Sequence, residues 1–227
     1  MIKVNRPESL TEIAATKIRE AIINNDFKLG QPLSEAFLSK SMEISKTPVR
    51  EALAKLKSEG LVVVVPQSGT YVFTMELEDL VELLEYRYVL EVAALKDVYE
   101  KKYKELITII DQITKSMDKA LKEGNIKEYI SLDYMFHKSF FDLCDNRYLI
   151  DAYSSLSAKI RSLQTRIAIK DIDRSASFKE HMRICRFIKN RDFEKLKSEL
   201  NEHFERTVRS YEKCKDEIDV FYQKTKQ

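Results

Sequence analysis

Asp133 and His137 are the residues of this chain whose types and spacing most directly indicate chemistry. They are four positions apart, so a helix would place both side chains on one face. The chain has three histidines, and the other two are His181 and His203. One carboxylate and three neutral imidazoles suit a divalent cation such as Zn²⁺ or Ni²⁺, and suit Mn²⁺ less well. The alternative is that the histidines are unrelated and that each is satisfied by its own surroundings.

The elements that must position these residues are all predicted to be helices. From residue 76 onward, apolar residues recur at helical spacing and no strand pattern competes. The turn at 190–192 places His181 and His203 on separate helices, and antiparallel neighbours could bring their imidazoles together. We therefore expect residues 76–227 to form an all-α antiparallel helical bundle. Its six predicted helices cover residues 76–101, 105–123, 126–144, 148–169, 175–190 and 193–218.

The first third of the chain has a different pattern. Ser9, Ser34 and Ser45 each precede a helical run and are suitable N-cap residues, and Pro48 falls in the first turn of the third run. Two short β-type runs, LVVVVP and GTYVFT, flank the sequence QSG and predict a hairpin. The order helix, helix, helix, hairpin over residues 1–75 is that of a winged helix-turn-helix. The predicted fold class is therefore mainly α, with an N-terminal winged helix-turn-helix and a C-terminal all-α bundle.

The third predicted helix has the features of a DNA-recognition helix. Its first turn would present hydroxyls and backbone N–H groups to phosphate oxygens, and an arginine there could bond O6 and N7 of guanine with two donors. The predicted DNA-contacting residues are Ser45, Lys46, Thr47 and Arg50 on the helix, and Gln67, Ser68 and Gly69 at the wing tip. The alternative is a small helical domain with ordinary capping residues.

Composition limits the classes of protein without selecting one. The formal net charge is +2, with 39 basic and 37 acidic residues, so charge alone does not indicate a polyanionic partner. The three cysteines, Cys144, Cys185 and Cys214, are an odd number without a CxxC pair, which favours free thiols in a reducing cytoplasm. The sequence has no signal-peptide pattern and no apolar run of about 18 residues. We therefore expect a cytoplasmic protein without a membrane span.

The N-terminal segment resembles a known family. The stretch PLSEAFLSKSMEISKTPVREALAKLKSEGLVVVVPQSGTYV is similar to the DNA-binding domain of GntR-family transcription regulators, with TPVREAL, EGLV and GTYV as the characteristic motifs. The resemblance implies that the recognition-helix and wing residues named above contact DNA. Two positions depart from the family pattern. Lys46 replaces an arginine, and Glu43 replaces a glycine in the turn between the helices, where a left-handed conformation costs about 1 kcal/mol.

The C-terminal segment resembles the helical FCD domain of the FadR-like branch of these regulators. The matching pieces are DYMFH with Asn146 after it, EHMRI, NRDFEKL and NEHF. In metal-binding members, an aspartate and a histidine share one helix and two histidines come from the last two helices. The resemblance therefore assigns the metal ligands to Asp133, His137, His181 and His203. It also implies a small organic carboxylate as effector, with Arg87 directed into its pocket. The further candidate cations are Arg161 and Arg166.

The sequence thus predicts a metal- and effector-responsive transcription regulator, expected to be a repressor that leaves DNA when the effector binds. Two chains would pair as a homodimer and meet a near-palindromic double-stranded operator. Zn²⁺ is the preferred metal, with Ni²⁺ or Mn²⁺ as alternatives. One rival prediction is a metalloenzyme that activates water, although the histidine motifs lack an evident general base. The other is a regulator of the same class whose metal-free pocket binds a fatty or apolar effector.

Overall fold

The computed structural model of the chain describes residues 8–170 and 174–218, so the outer ends of both predicted domains, 1–7 and 219–227, lie outside it. The described residues are mainly α-helical with one two-stranded sheet, as predicted. The elements are α1 (Leu10–Ile23), α2 (Glu35–Met42), α3 (Lys46–Ser58), β1 (Val62–Val65), β2 (Gly69–Val72), α4 (Leu77–Lys101), α5 (Tyr103–Lys122), α6 (Ile126–Asp142), α7 (Arg147–Lys170), α8 (Arg174–Lys189) and α9 (Phe193–Ile218).

The chain divides into two compact units. Of the described residues, the first contains 8–75, the segment Ala158–Leu163 of α7, and 216–218. The second contains Glu76–Ser157 and Gln164–Lys215. Helix α7 contributes residues to both units.

The first unit begins with three helices whose ends follow local sequence signals. The hydroxyl of Ser9 accepts the backbone N–H of Glu12, and that of Ser34 accepts the N–H of Phe37, so both serines cap their helices as predicted. The turn that joins α2 to α3 contains Glu43 at φ 57° and ψ 37°, the left-handed region expected where the family has glycine. The unit's helical core includes Ile18, Ile22, Leu38, Leu53 and Leu56.

The predicted hairpin follows α3. Strands β1 and β2 are antiparallel, with Val62 opposite Val72 and Val65 opposite Gly69. Two residues of the turn have positive φ, Gln67 at 61° and Gly69 at 138°. Glycine adopts such a conformation without strain, which explains its place at the start of β2. A bridge from Pro32 to Tyr71 adds a further pairing to β2. This arrangement confirms the wing of the winged helix-turn-helix.

The second unit is formed by helices α4 to α9, and α5 packs against α6 and α8 while α4 packs against α6. Each helix is amphipathic, and the buried stripe of α5 contains Leu106, Ile110, Ile113 and Met117. Gly124, at φ 66°, ends α5, and Asn125 then caps α6 through the N–H of Glu128. No strand occurs among the described residues of this unit. The prediction of an all-α C-terminal domain is therefore confirmed.

Candidate metal centre and DNA-recognition surface

The three histidines converge inside the second unit. His137 lies on α6, His181 on α8 and His203 on α9. Their potential ligand atoms all lie within 4.8 Å of one another, and the Nε2 atoms of His137 and His181 are 3.3 Å apart. All three side chains are buried, with at most 3% of any residue exposed. The helix packing thus forms one cluster from residues that are widely separated in sequence.

Asp133 adds a carboxylate to this cluster. It precedes His137 by one helical turn on α6, and its Oδ1 lies 3.2 Å from Nε2 of His181. Its other oxygen, Oδ2, accepts a hydrogen bond of 2.7 Å from the side-chain amide of Gln164 on α7. Burial raises the pKa of Asp133, but the hydrogen bond with His181 and the neighbouring imidazoles outweigh this effect and hold its pKa below the ordinary value. The carboxylate is therefore ionised at neutral pH.

The outer nitrogen of each imidazole bonds to an oxygen acceptor. Nδ1 of His137 lies 2.7 Å from Oε2 of Glu91, and Nδ1 of His203 lies 2.7 Å from Oε2 of Glu180. Nδ1 of His181 lies 2.8 Å from the backbone oxygen of Ser177. Burial raises the pKa of both glutamates, but their imidazole and arginine partners outweigh it and lower the pKa below the ordinary value. The two ionised carboxylates place the protons of His137 and His203 on Nδ1, so the lone pairs of these two rings lie on Nε2.

These contacts test whether the cluster suits a metal ion. Burial lowers the pKa of His137, and it lowers the pKa of His203 to about 3, so both imidazoles are neutral at pH 7. Nε2 of His137 and Nε2 of His181 are 3.3 Å apart, with Oδ1 of Asp133 beside them, so a proton or a cation must lie between these acceptor atoms. Neutral imidazoles held at Nδ1 by carboxylates or carbonyls are the usual ligands of divalent metals. The residues therefore fit a divalent cation.

A buried ion pair supports the His137 side of the cluster. Nε of Arg87 donates to Oε1 of Glu91 at 2.7 Å, and both residues are at most 1% exposed. The guanidinium of Arg87 also lies 4.8 Å from the ring centre of Phe204. Within the described residues, Nη2 of Arg87 and the hydroxyl of Tyr153 are buried without a hydrogen-bond partner. Arg87 thus reaches His137 through Glu91.

A small cavity of about 50 Å³ adjoins the cluster. Asp133 and His203 are among its lining residues. The wall also contains Tyr129, Ile130, Gln164, Ile167, Ala168, Arg174, Ser177, Arg206 and Thr207. The predicted effector residues Arg87, Arg161 and Arg166 are not among the described residues that line this cavity. Arg87 and Arg166 are buried, and Arg161 is half-buried.

Four residues of this region were not predicted from the sequence. Glu91 had a weak signal, because it follows Arg87 by four residues and shares its helix face. Glu180 adjoins His181 in the motif EHMRI, but consecutive helical residues point in different directions, and the carboxylate bonds to His203 instead. Arg206 had a similarly weak signal, because it follows His203 by three residues, and Arg174 had none, because only the packing of the helices shows that it lines the cavity.

The predicted DNA-contacting residues form an exposed surface on the first unit. Ser45, Lys46, Thr47 and Arg50 are exposed at the N-terminus of α3, and Gln67, Ser68 and Gly69 are exposed at the wing tip. Within the described residues, the Ser45 hydroxyl makes no capping bond. Nε and Nη2 of Arg50 bond to the two carboxylate oxygens of Glu35 at 3.0 and 2.9 Å. Glu35 thus holds one edge of the exposed Arg50 guanidinium.

A winged helix-turn-helix joined to an all-α bundle with a buried histidine cluster defines a DNA-binding regulator with a separate helical domain. The chain belongs to the GntR family of bacterial regulatory proteins, in the form that carries an FCD domain. The family model described as bacterial regulatory proteins, gntR family, matches residues 10–72, and that of the FCD domain matches residues 82–206. The chain is thus a transcription regulator and not an enzyme, and the proteins of its family bind operator DNA.

Known proteins with similar sequences and folds agree with this assignment. The chain is 26% identical over 203 residues to the HTH-type transcriptional regulator YdhC of Bacillus subtilis. This alignment covers 89% of the present chain and 91% of YdhC. It is 24% identical over 196 residues to the gluconate operon transcriptional repressor of Bacillus licheniformis, covering 84% and 80%. The solved structure of E. coli McbR/YncC has the same fold, with a TM-score of 0.74 at 19% identity over 96% of this chain and 100% of that one. Among the described residues, no helix is long and apolar enough to cross a membrane.

Proposed function

We propose that this protein is a homodimeric transcription repressor whose helical domain binds a divalent metal ion and a small organic acid that together alter operator binding. The observation that carries the proposal is the convergence of three buried imidazoles beside Asp133 and a cavity. Membership of the FadR-like branch agrees with the FCD domain. The repressor sense agrees with the printed names of two relatives, the gluconate operon repressor of Bacillus licheniformis and RspR of Escherichia coli.

Asp133, His137, His181 and His203 would hold the metal. Zn²⁺ is the first choice because three nitrogens and one carboxylate oxygen match its preferred ligands, and Ni²⁺ or Mn²⁺ are the alternatives. The bound ion would supply a Lewis-acidic contact for an effector oxygen. The imidazole rings are already oriented by hydrogen bonds to Glu91, Glu180 and the Ser177 carbonyl. Metal binding would therefore require little further ordering of these side chains.

An anionic effector is favoured by the charges around the cluster. Arg174 and Arg206 line the cavity beside Asp133 and His203. Arg87 remains a candidate for the effector because its buried Nη2 lacks a hydrogen-bond partner among the described residues. A buried guanidinium is stabilised by a carboxylate with matching geometry. Arg161 and Arg166 stay as proposed effector residues on α7.

The operator would be bound by two copies of the winged helix-turn-helix. Ser45, Lys46 and Thr47 would contact phosphates or bases near the N-terminus of α3, and Arg50 would read a guanine. Gln67, Ser68 and Gly69 would lie against the backbone at the wing. The effector would change operator affinity only if it binds the DNA-competent and DNA-released arrangements unequally.

Operator binding can be measured without knowing the operator in advance. DNA would first be selected from a random library with the Zn²⁺-loaded protein, and the affinity for the selected sequence would then be followed by fluorescence anisotropy. We expect acetate, succinate, citrate or gluconate to weaken binding by five-fold or more, within the usual range for allosteric coupling. The His137→Ala/His203→Ala variant should bind DNA but lose this response. Tighter DNA binding with these acids would reverse the proposed sense, and a response to fatty acids alone, unchanged in the variant, would favour a metal-free apolar pocket.

A further inference from the structure

Arg206 connects the cavity to the histidine cluster through one carboxylate oxygen. It follows His203 by three residues on α9, so both side chains lie on the same helix face. Nε of Arg206 donates to Oε2 of Glu180 at 2.7 Å. The same oxygen accepts Nδ1 of His203, also at 2.7 Å. A residue on the cavity wall and a proposed metal ligand therefore share a single acceptor atom.

The shared acceptor makes its two donors dependent on each other. Glu180 is buried with 5% of its surface exposed, so solvent contributes little to satisfying the oxygen. A guanidinium carries five N–H donors in a plane, and Arg206 is half-buried beside the cavity, so it can exchange a donor from Glu180 to an incoming anion. If Arg206 moves toward an anion, its hydrogen bond to Oε2 of Glu180 weakens, and this oxygen becomes a stronger acceptor for Nδ1 of His203. A stronger acceptor at Nδ1 then makes Nε2 a more basic ligand.

The charges and size of the cavity indicate what its occupant is. Its wall carries the cationic side chains of Arg174 and Arg206 and the carboxylate of Asp133, which bonds to Gln164 and contacts His181. A volume of about 50 Å³ accommodates a few water-sized groups, which corresponds to the head of a small organic acid. The two arginines on the wall therefore favour an anionic ligand over a neutral or apolar one.

We infer that Arg206 docks the carboxylate of the effector and that Glu180 transmits this contact to His203, so that anion binding and metal binding strengthen each other. The inference rests on the proposed metal and effector function of the cavity. Glu180 acts here as a positioning residue, because it touches His203 and Arg206 and not the effector. Reciprocity requires that the acid tighten metal binding by the same factor as the metal tightens acid binding.

The test measures Zn²⁺ affinity by competition with a chromophoric chelator, with and without saturating formate, acetate, malonate or succinate. In the wild-type protein we expect at least one of these acids to tighten Zn²⁺ binding by about five-fold or more. In Arg206→Gln this factor should fall toward one, and Zn²⁺ affinity without acid should rise toward the value of the acid-saturated wild type, because Oε2 of Glu180 no longer bonds to Arg206. Arg206→Lys, which retains the charge but loses the planar fork, should recover part of the factor. Glu180→Gln should weaken Zn²⁺ binding about ten-fold or more without acid and also abolish the coupling.

Arg183→Gln is the matched control. Arg183 also joins α8 to α9, because its Nε donates to Glu199 at 2.8 Å, but it is not one of the described residues that line the cavity. It should keep the wild-type coupling factor. Equal coupling in Arg206→Gln and the wild type, or no effect of any of the four acids on a wild-type protein that binds Zn²⁺, would overturn the inference. Failure of the wild type to bind Zn²⁺, Ni²⁺ or Mn²⁺ would instead overturn the proposed function beneath it.

Discussion

At the scale of single residues, the centre depends on buried charges that compensate each other. Arg87 and Glu91 are almost fully buried, and Glu91 contacts both Arg87 and His137. Taking such charges out of water is costly, so neither member of the pair is replaceable alone. The exposed pair formed by Arg50 and Glu35 has the same Arg–carboxylate chemistry but lies in contact with solvent. The two pairs therefore separate the effect of burial from the effect of pairing.

Glu91→Gln should destabilise the protein by roughly 3 kcal/mol, because Arg87 would remain buried without its counter-ion. Glu35→Gln, which removes the carboxylate of an exposed pair, should have a much smaller effect. Urea unfolding followed by circular dichroism would give both free energies of unfolding. If the two substitutions cost the same, burial would not be the cause of the expected difference.

The imidazole of His203 should make the metal-free protein sensitive to acid. Its pKa is about 3 in the folded chain because of burial, and close to 6.5 when unfolded. Between about pH 6.5 and pH 3 the unfolded state therefore binds more protons, and the free energy of unfolding falls as the pH falls. Urea unfolding of the metal-free protein at steps from pH 7 to pH 4 would measure this slope. His203→Gln should flatten it, and an unchanged slope would show that other groups account for the acid sensitivity.

At the scale of elements, the sequence predicts most of the fold because its signals are local. The serine caps, the glycine at the end of α5 and the apolar spacing of α4 to α9 each specify their own segment. The glutamate partners of His137 and His203 are determined by contacts between helices, so the local sequence does not indicate them. Glu180 illustrates the difference, because it adjoins His181 in sequence but bonds to His203 on α9. Arg206 was missed for the same reason.

The turn between α2 and α3 offers a test at the scale of an element. Glu43 has φ 57°, so Glu43→Gly should raise the free energy of unfolding by up to about 1 kcal/mol through relief of backbone strain. It should also tighten DNA binding, because a negative charge close to phosphates is removed. Glu43→Gln keeps the strained backbone and removes only the charge. It should therefore improve DNA affinity without the gain in stability, and a stability gain equal to that of Glu43→Gly would contradict the strain argument.

At the scale of the whole molecule, the chain joins an FCD domain to a winged helix-turn-helix within one GntR-family regulator. Closed two-fold symmetry would present two recognition helices to two half-sites about one helical turn apart. Metal and acid would then act on DNA affinity through the relative populations of two arrangements of the dimer. This scheme depends on the histidine cluster being a metal site, which is the central claim.

The most direct measurement is the metal content of untagged protein purified without chelator, determined by plasma mass spectrometry, with the His137→Ala/His203→Ala variant as control. We expect about one divalent ion per wild-type chain and almost none in the variant, because Asp133 and His181 alone leave the site with half of its ligands. Circular dichroism would verify that the variant is folded. Absence of metal from the wild type, even after reconstitution with Zn²⁺, Ni²⁺ and Mn²⁺, would contradict the account.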